Sequence, residues 1–513
     1  MILSKKWRWT KALALAFVLV ALSCSSDDNG TPAPDPGDDG PVTNEAPIFQ
    51  NPPVGAIEVD EDITDQDVIV ALKAEDPEGD EFTFSILEDT DALFEINQDG
   101  ELSLLAGKQL DAEESDSHSV TAAVKDSNDN QAILQLAITV LEAVALKDDP
   151  DAFLTTWSVG DNDKIFIRVN PDYDDYDYQI DWGDSSPLET VTGNEPPEHT
   201  YETAGDYQVA IKGTFPAIQM LPLGVVDTPE EIENASKLAS IDRWGSNAWR
   251  SMAAAFRGCV NMTYTAEDAP LLEQVKSMGL MFTSCSSFNG AIGDWDVSTV
   301  TDMLGIFAFA SSFDQDLSGW NVSNVTTMIS MFAASKFNQD LSAWGDKLGN
   351  VQTMSGMFVN NPFFEGLGLE EWNVGNVTIM LDMFSGATVF NADIADWDTG
   401  KVTTMARMFK NATAFNQNLG GWDLSSIGSG TDNNSDLDSL EGMLDNSGLT
   451  AANFNATLIE WSNNIISTTP KGITLGASGL TYCGEFAILA FNNLVNQANG
   501  WQITGTNQEI SCF

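Results

Sequence analysis

From about Ala239 the chain repeats itself at close to 25 residues, and this period constrains the fold more than any other feature. Trp stands at 295, 320, 344, 372, 397 and 422, with gaps of 25, 24, 28, 25 and 25. A Met column runs through 252, 278, 303, 328, 354, 380 and 405. A second follows three residues later at Met281, Met331, Met357, Met383 and Met408, each with Phe immediately after it. Phe also stands seven residues before most of the Trp, at 288, 313, 337, 390, 415 and 454. A unit this short cannot bury its apolar face alone, so successive units are expected to stack as a solenoid over residues 235–465.

Two periods alternate inside each unit. Val-x-x-Met-x-x-Met-Phe places apolar residues at i, i+3, i+6 and i+7, which predicts a short helical or 3₁₀ turn. Phe-Asn-x-Asp-Leu alternates like a strand. One strand and one short helix per unit is the geometry of a leucine-rich-repeat coil. The Met and Trp columns read as core rather than as a ligand box. On the strand, parity points Asn289, Asp314, Asn338, Asn391 and Asn416 outward, with Asp316, Asp340, Asp393 and Asn418 beside them. Neighbouring strands sit about 4.8 Å apart, so Asp316 and Asp340 are expected to face each other. Stacked like charges cost a few tenths to about 1 kcal/mol per pair. A sequence that keeps them has either a solvated polar face or a surface for a cation, a basic partner or a hydroxyl-rich ligand.

Cys259 and Cys285 fall three residues after Phe256 and Phe282 in consecutive units. They are a disulfide pair or two members of a buried column of small residues, since Ala310, Ala387 and Ala412 take that place later. Cys483 and Cys512 bracket the last residues, 466–513, which a solenoid needs as a cap, and they form a second disulfide candidate. The insertion Asp432–Asp438 alternates oxygen-bearing side chains like a calcium loop, but Leu437 takes the place of the required Gly.

Composition decides partners and address. Lys and Arg number 22 against 77 Asp and Glu, a formal charge of −55. Such a chain repels phosphate backbones and anionic lipid, which excludes nucleic acid and leaves membrane contact to an anchor. With 43% hydrophobic residues it is no disordered acidic tail. Two His and five Cys leave little for a transition-metal or His-based catalytic centre. Residues 1–23 carry a basic start, an apolar run from Ala12 to Leu22, and Ala-Leu-Ser before Cys24. That ending resembles a lipoprotein signal box, which implies lipidation of Cys24. The Pro-, Gly- and Asp-rich stretch 24–45 reads as a flexible acidic tether, and it resembles a surface-export signal of Gram-negative lipoproteins.

Residues 46–144 alternate short β-type runs with acidic turns, which predicts a β-sandwich. Ala46–Phe49, AEDPEGDEFTFSI at 74–86, LDAEE at 110–114 and AVKDSNDN at 123–130 resemble a cadherin repeat. The resemblance implies calcium at the two ends of the module: Glu61, Asp111 and Glu113 at one, Asp76, Glu78 and Asp126 at the other. Ca²⁺ takes six to eight oxygens, so each trio needs further donors, and solvated acidic turns are the alternative. Residues 150–215 resemble a PKD-type sandwich through Tyr178–Asp184 and His199–Ile211, with Trp182 in its core and His199 in a structural place.

The repeats themselves resemble BspA-like bacterial surface proteins with 26-residue units, through WDVSTVTDM at 295–303, WNVSNVTTM at 320–328 and WNVGNVTIM at 372–380. The fold class expected is mainly β: two small sandwiches, then a leucine-rich-repeat-like α/β solenoid with a C-terminal cap. The resemblances imply a non-catalytic lipoprotein on the outer membrane of a Gram-negative bacterium, exposed to the outside. Its partner is an extracellular protein or glycan, and the glycan option makes it part of polysaccharide uptake. No GxSxG, HExxH or related motif is present.

Overall fold

The computed structural model describes residues 44–141, 145–221, 226–428, 440–464 and 470–511. Cys24, the signal and tether, the Asp432–Asp438 insertion and Cys512 lie outside the described residues. The chain divides into two compact units, Met1–Ala143 and Val144–Phe513, and is mainly β with few helices.

The first unit is a β-sandwich of nine strands: β1 (Ile48–Phe49), β2 (Ile57–Asp60), β3 (Val70–Ala71), β4 (Ala74–Glu75), β5 (Phe82–Asp89), β6 (Phe94–Ile96), β7 (Glu101–Leu104), β8 (Ser117–Asp126) and β9 (Gln131–Leu141). One sheet runs in the order β2-β9-β8-β5, with β2 parallel to β9. A second runs β3-β7-β6. Alternation along β8 buries His118, Val120, Ala122 and Val124, which meet Leu102, Leu104 and Ile138 in a core of their own.

The second unit opens with β10 (Phe153–Val159), β11 (Asp163–Phe166), β12 (Asp177–Asp181), β13 (Glu189–Thr192), β14 (Glu198–Tyr201) and β15 (Gly205–Thr214). Trp182 is buried and Tyr201 Oη donates to its carbonyl at 2.9 Å. Gly183 has φ +78°, and a Cβ there would sit 2.3 Å from the Gln208 carbonyl oxygen, so only glycine closes this turn. His199 stacks on Trp182 at 5.1 Å and bonds Asp184 at 2.7 Å. Helix α1 (Pro229–Lys237) follows, begun by a Thr228/Glu231 capping box.

From α1 the chain enters β16 (Leu238–Arg243), which joins the sandwich to the repeats. It pairs antiparallel with β10 and parallel with β17 (Thr263–Tyr264), the first rung of the stack. Sandwich and stack therefore share one apolar core from Phe153 to Trp501. Trp244 bridges the two, 5.6 Å from Phe153 and 5.4 Å from Trp295. One six-stranded sheet, in the order β13-β12-β15-β10-β16-β17, thus runs on into the first coil.

The repeats stack coil on coil, but not with the elements expected from their periods. No strand runs through Phe-Asn-x-Asp-Leu and no helix through the Met segment among the described residues. Instead the Met segment is a ribbon of turns that also carries the inter-coil ladder. Phe282, Phe307, Phe332, Phe358 and Phe384 each donate N–H to a carbonyl one coil on, at 2.9–3.0 Å. Single parallel bridges run from Ser277 through Asp302, Thr327, Thr353 and Ile379 to Thr404. The ribbon stays out of the α-helix because each coil holds a left-handed residue at the same place: Leu280, Gly305, Ser330, Gly356, Asp382 and Arg407, with φ from 54° to 59°.

Inside, two Phe columns stack along the axis. Phe307, Phe332, Phe358 and Phe384 follow one another at 5.5–5.7 Å, and each lies 3.8–4.0 Å from a ring of the second column. Each Trp is tied to the coil before it. The indole N–H of Trp320, Trp344, Trp372, Trp397 and Trp422 donates to the carbonyl of Ile292, Leu317, Leu341, Leu369 and Ile394 at 2.9–3.1 Å. In these coils Trp thus fills the core and satisfies a buried carbonyl together. Helix α2 (Ala451–Asn463), β18 (Thr474–Gly476), β19 (Thr481–Cys483), helix α3 (Glu485–Val495), β20 (Gln502–Thr504) and β21 (Asn507–Glu509) close the far end.

Candidate binding surface and calcium loops

The outward Asn and Asp of the coils form two columns with different work. In the first, each side-chain oxygen accepts the backbone N–H of its counterpart one coil on. Asn289 takes Asp314 N–H, Asp314 takes Asn338, Asn338 takes Glu365, Asn391 takes Asn416, and Asn416 takes Thr450, all at 2.8–2.9 Å. Side-chain carbonyls here replace the backbone acceptors that a β-strand would supply, which is why the expected strand is absent. In the second column, Asp316, Asp340 and Asp393 are exposed, and each accepts an N–H two residues later, from Ser318, Ser342 and Ala395. The backbone and side chain of Ser318 hold the Asp316 carboxyl below its ordinary pKa. The columns were legible as outward and periodic. Their hydrogen bonds were not, because side-chain-to-backbone bonds leave no trace in hydropathy.

In the sandwich, Glu61 reaches the 111–113 loop and accepts Ala112 N–H at 2.9 Å, while Asp111 accepts N–H from Glu113 and Glu114. At the other end Asp76 accepts N–H from Glu78 and Asp80 through Oδ1. Its Oδ2 is buried with no partner among the described residues, on a residue only 6% exposed. Asp126 is 5% exposed and accepts N–H from Asn128 and Asn130. Burial opposes its charge, but the Asn130 and Asn128 bonds, with Lys125 nearby, hold its pKa below the ordinary value. Glu78 accepts Glu45 N–H at 3.2 Å. Asn44, Asp80, Asn128 and Asn130 link to this end as well, which the motif reading did not single out. Their signal was present in the flanking Asp80 of AEDPEGD and the Asn pair of SNDN. Among the described residues no three His, Cys, Asp or Glu side chains are gathered as a metal cage.

Of the two alternatives for the first cysteine pair, the buried column is the one observed. Cys259 and Cys285 are free, not joined, and both are buried. Cys285 Sγ lies 3.0 Å from the Phe256 carbonyl, and burial pushes both thiols well above their ordinary pKa. They are members of the small-residue column that Ala310, Ala387 and Ala412 continue, all buried. Cys483 is disulfide-bonded.

This is a mainly β repeat protein, one sandwich followed by a sandwich-headed coil stack. Residues 250–348 and 346–447 match the family described as "Mycoplasma protein of unknown function, DUF285". No curated protein matches the chain. Solved structures similar to part of it include human protocadherin-24 EC1-2, 21% identical over 24% of this chain and 58% of that one, with a TM-score of 0.17. Protocadherin gamma B7 cadherin domains 1–4 are 16% identical over 32% and 49%, with a TM-score of 0.18. Mouse cadherin-23 EC22-24 is 13% identical over 32% and 66%, with a TM-score of 0.17. The chain spans about a third to two thirds of the length of the cadherin structures it matches. No described helix is long and apolar enough to cross a membrane.

Proposed function

We propose that the protein is a non-catalytic, surface-displayed lipoprotein that holds an extracellular partner on the outer side of its coil stack. The observation that carries this reading is the register of the polar columns. Asp316, Asp340 and Asp393 stand at one position in their coils, locked by the same turn bond. An extended ligand meets the same carboxylate on three coils, with Ala291, Leu367 and Asn418 standing near that place on others, and gains from each acidic rung. Cys24 is the lipid anchor and 24–45 the tether, on the outer membrane of a Gram-negative cell. The PKD-like sandwich heads the coil stack, and Cys483 pairs with Cys512 to staple the cap. A glycan ligand of a polysaccharide-uptake system is the second reading. The amides of Asn391, Asn416 and Gln417 along the ladder favour it, while the buried Trp rings weigh against it.

Calcium fits the Asp76 end of the first sandwich better than the Glu61 end. An unpaired buried carboxylate oxygen is costly, and Asp76 Oδ2, Asp126, Asp80 and Asn44 are hard oxygen donors of the kind Ca²⁺ prefers. A bound cation there would neutralise clustered acid and stiffen the module. The test of binding is the mature chain applied to host cells and to a glycan array, with Asp316→Asn and Asp340→Asn combined. Asn keeps the turn bond and removes the charge. Cell binding should fall at least tenfold; unchanged binding refutes the face. Titration calorimetry with Ca²⁺ should give heat that Asp76→Asn abolishes, and no heat from the parent chain removes calcium from the reading.

A further inference from the structure

The C-terminal cap carries a surface that capping does not explain. A cap covers the last open coil and turns a polar face to water. The inner faces of α2 and α3 do the covering, with Phe454, Leu458 and Trp461 buried on one and Ala487, Ala490 and Leu494 on the other. Their outer side is apolar instead. Phe486 is 77% exposed and Leu489 60% exposed on α3. Both line a groove of about 590 Å³ together with Ile459 and Ala490, and Ser462, Asn463, Asn492 and Asn493 complete its lining. Apolar side chains that protrude and also wall a hollow can pack against a second copy of themselves.

Charge selects the occupant. Residues 449–513 hold Glu460, Glu485 and Glu509 against Lys471, a net −2. Of the total of −55, the other 448 residues therefore carry −53. Two copies repel each other over nearly all of that surface, and a basic partner has little acid to meet on α3. The neutral cap is where one copy can approach another without charge opposition. We propose that this face is a two-fold contact between two copies of the chain, each inserting Phe486 and Leu489 into the groove of the other. The amides of Asn463, Asn492 and Asn493 form its polar rim. Two short helices make a small interface, so the association is weak and is favoured when tethering crowds the copies.

Sedimentation of the mature chain from about 1 to 100 µM, the range suited to a small interface, tests this. A monomer–dimer equilibrium is expected, and Phe486→Glu with Leu489→Glu should leave only monomer. The melting temperature and circular dichroism of that variant check that the cap still folds. If it does not, Asn492→Cys serves instead. Placed at the rim, it should cross-link copy to copy under mild oxidation, whereas absence of cross-linked dimer counts against the contact. Three results overturn the proposal: monomer throughout the range, a dimer that persists in the folded double variant, or monomer that binds neutral phosphatidylcholine vesicles through Phe486, which would assign the face to lipid.

Discussion

The side-chain carbonyl of Asn391 accepts the backbone N–H of Asn416, one coil further on, at 2.8 Å. The same side-chain-to-backbone bond joins Asn289 to Asp314 and Asp314 to Asn338. Asn391→Ala should leave the Asn416 amide without its acceptor and lower stability by about 1 kcal/mol. Asn391→Asp keeps an acceptor and should stay close to the parent. Paired denaturant melts of the two variants check this, and equal losses would show that the bond contributes nothing.

Trp344 offers a sharper contrast. Its indole donates to Leu317 O at 3.0 Å inside the core. Trp344→Phe keeps an aromatic ring but strands that carbonyl and leaves a void, so a loss of about 2–4 kcal/mol is expected. Chemical denaturation with tryptophan fluorescence measures it.

Phe309 is bulky, 58% exposed, and left-handed at φ 60°. Its counterparts in other coils are Gly258, Ser284, Ala334, Asn360, Gly386 and Asn411, all smaller and all left-handed. Phe309→Asn should raise the melting temperature, by about 1 kcal/mol of relieved backbone strain. A fall would mean that the ring makes contacts worth more than the strain.

The two buried thiols should be invisible to reagents in the native chain. Ellman's reagent should titrate none of Cys259 and Cys285 until the chain is unfolded in denaturant without reductant, when two should appear. Reaction of either thiol before unfolding would contradict the packing of that column.

Acid should weaken the second sandwich in a defined window. Lys212 holds the Asp149 carboxyl low; for Asp163, burial raises the pKa but Lys237 and backbone bonds more than reverse it. Asp184 is likewise lowered, with burial outweighed by Ser186 and His199. Folded values below the ordinary 3.8 stabilise the protein above that pH, and the gain is lost as pH falls through the folded values. Melting curves of Lys237→Met should lie below the parent at pH 6, and the gap should narrow as the pH falls below 3.8 and Asp163 takes up its proton.

Much of this architecture was legible because core residues recur in fixed columns. The Trp, Met and Phe periods identified the buried side of the coils, and the cadherin resemblance pointed Glu61 toward the 110–114 loop, whose Ala112 N–H it accepts. Three things escaped. Phe364 belongs to the second Phe column, 3.8 Å from Phe358, but the longer gap between Trp344 and Trp372 hid it from a count of seven. The Phe-Asn-x-Asp-Leu alternation resembled a strand because parity is the same whether backbone or side-chain oxygens accept the next coil's N–H. Cys259 and Cys285 had the spacing of a bridge, and only the packing around Phe256 distinguishes a thiol column from a disulfide.

The turn ribbon has a consequence for how such a chain can vary. Each coil offers the next one the same N–H groups, the same left-handed corner and the same ring to stack on. Interior rungs differ in detail, the coil from Trp344 to Trp372 being longer, but the backbone bonds each makes to its neighbours are of one kind. Removing one whole period, or duplicating it, presents the sandwich and the cap with unchanged mating surfaces. The ends fix where the stack starts and stops, while the number of rungs between them is free to grow or shrink in steps of one turn.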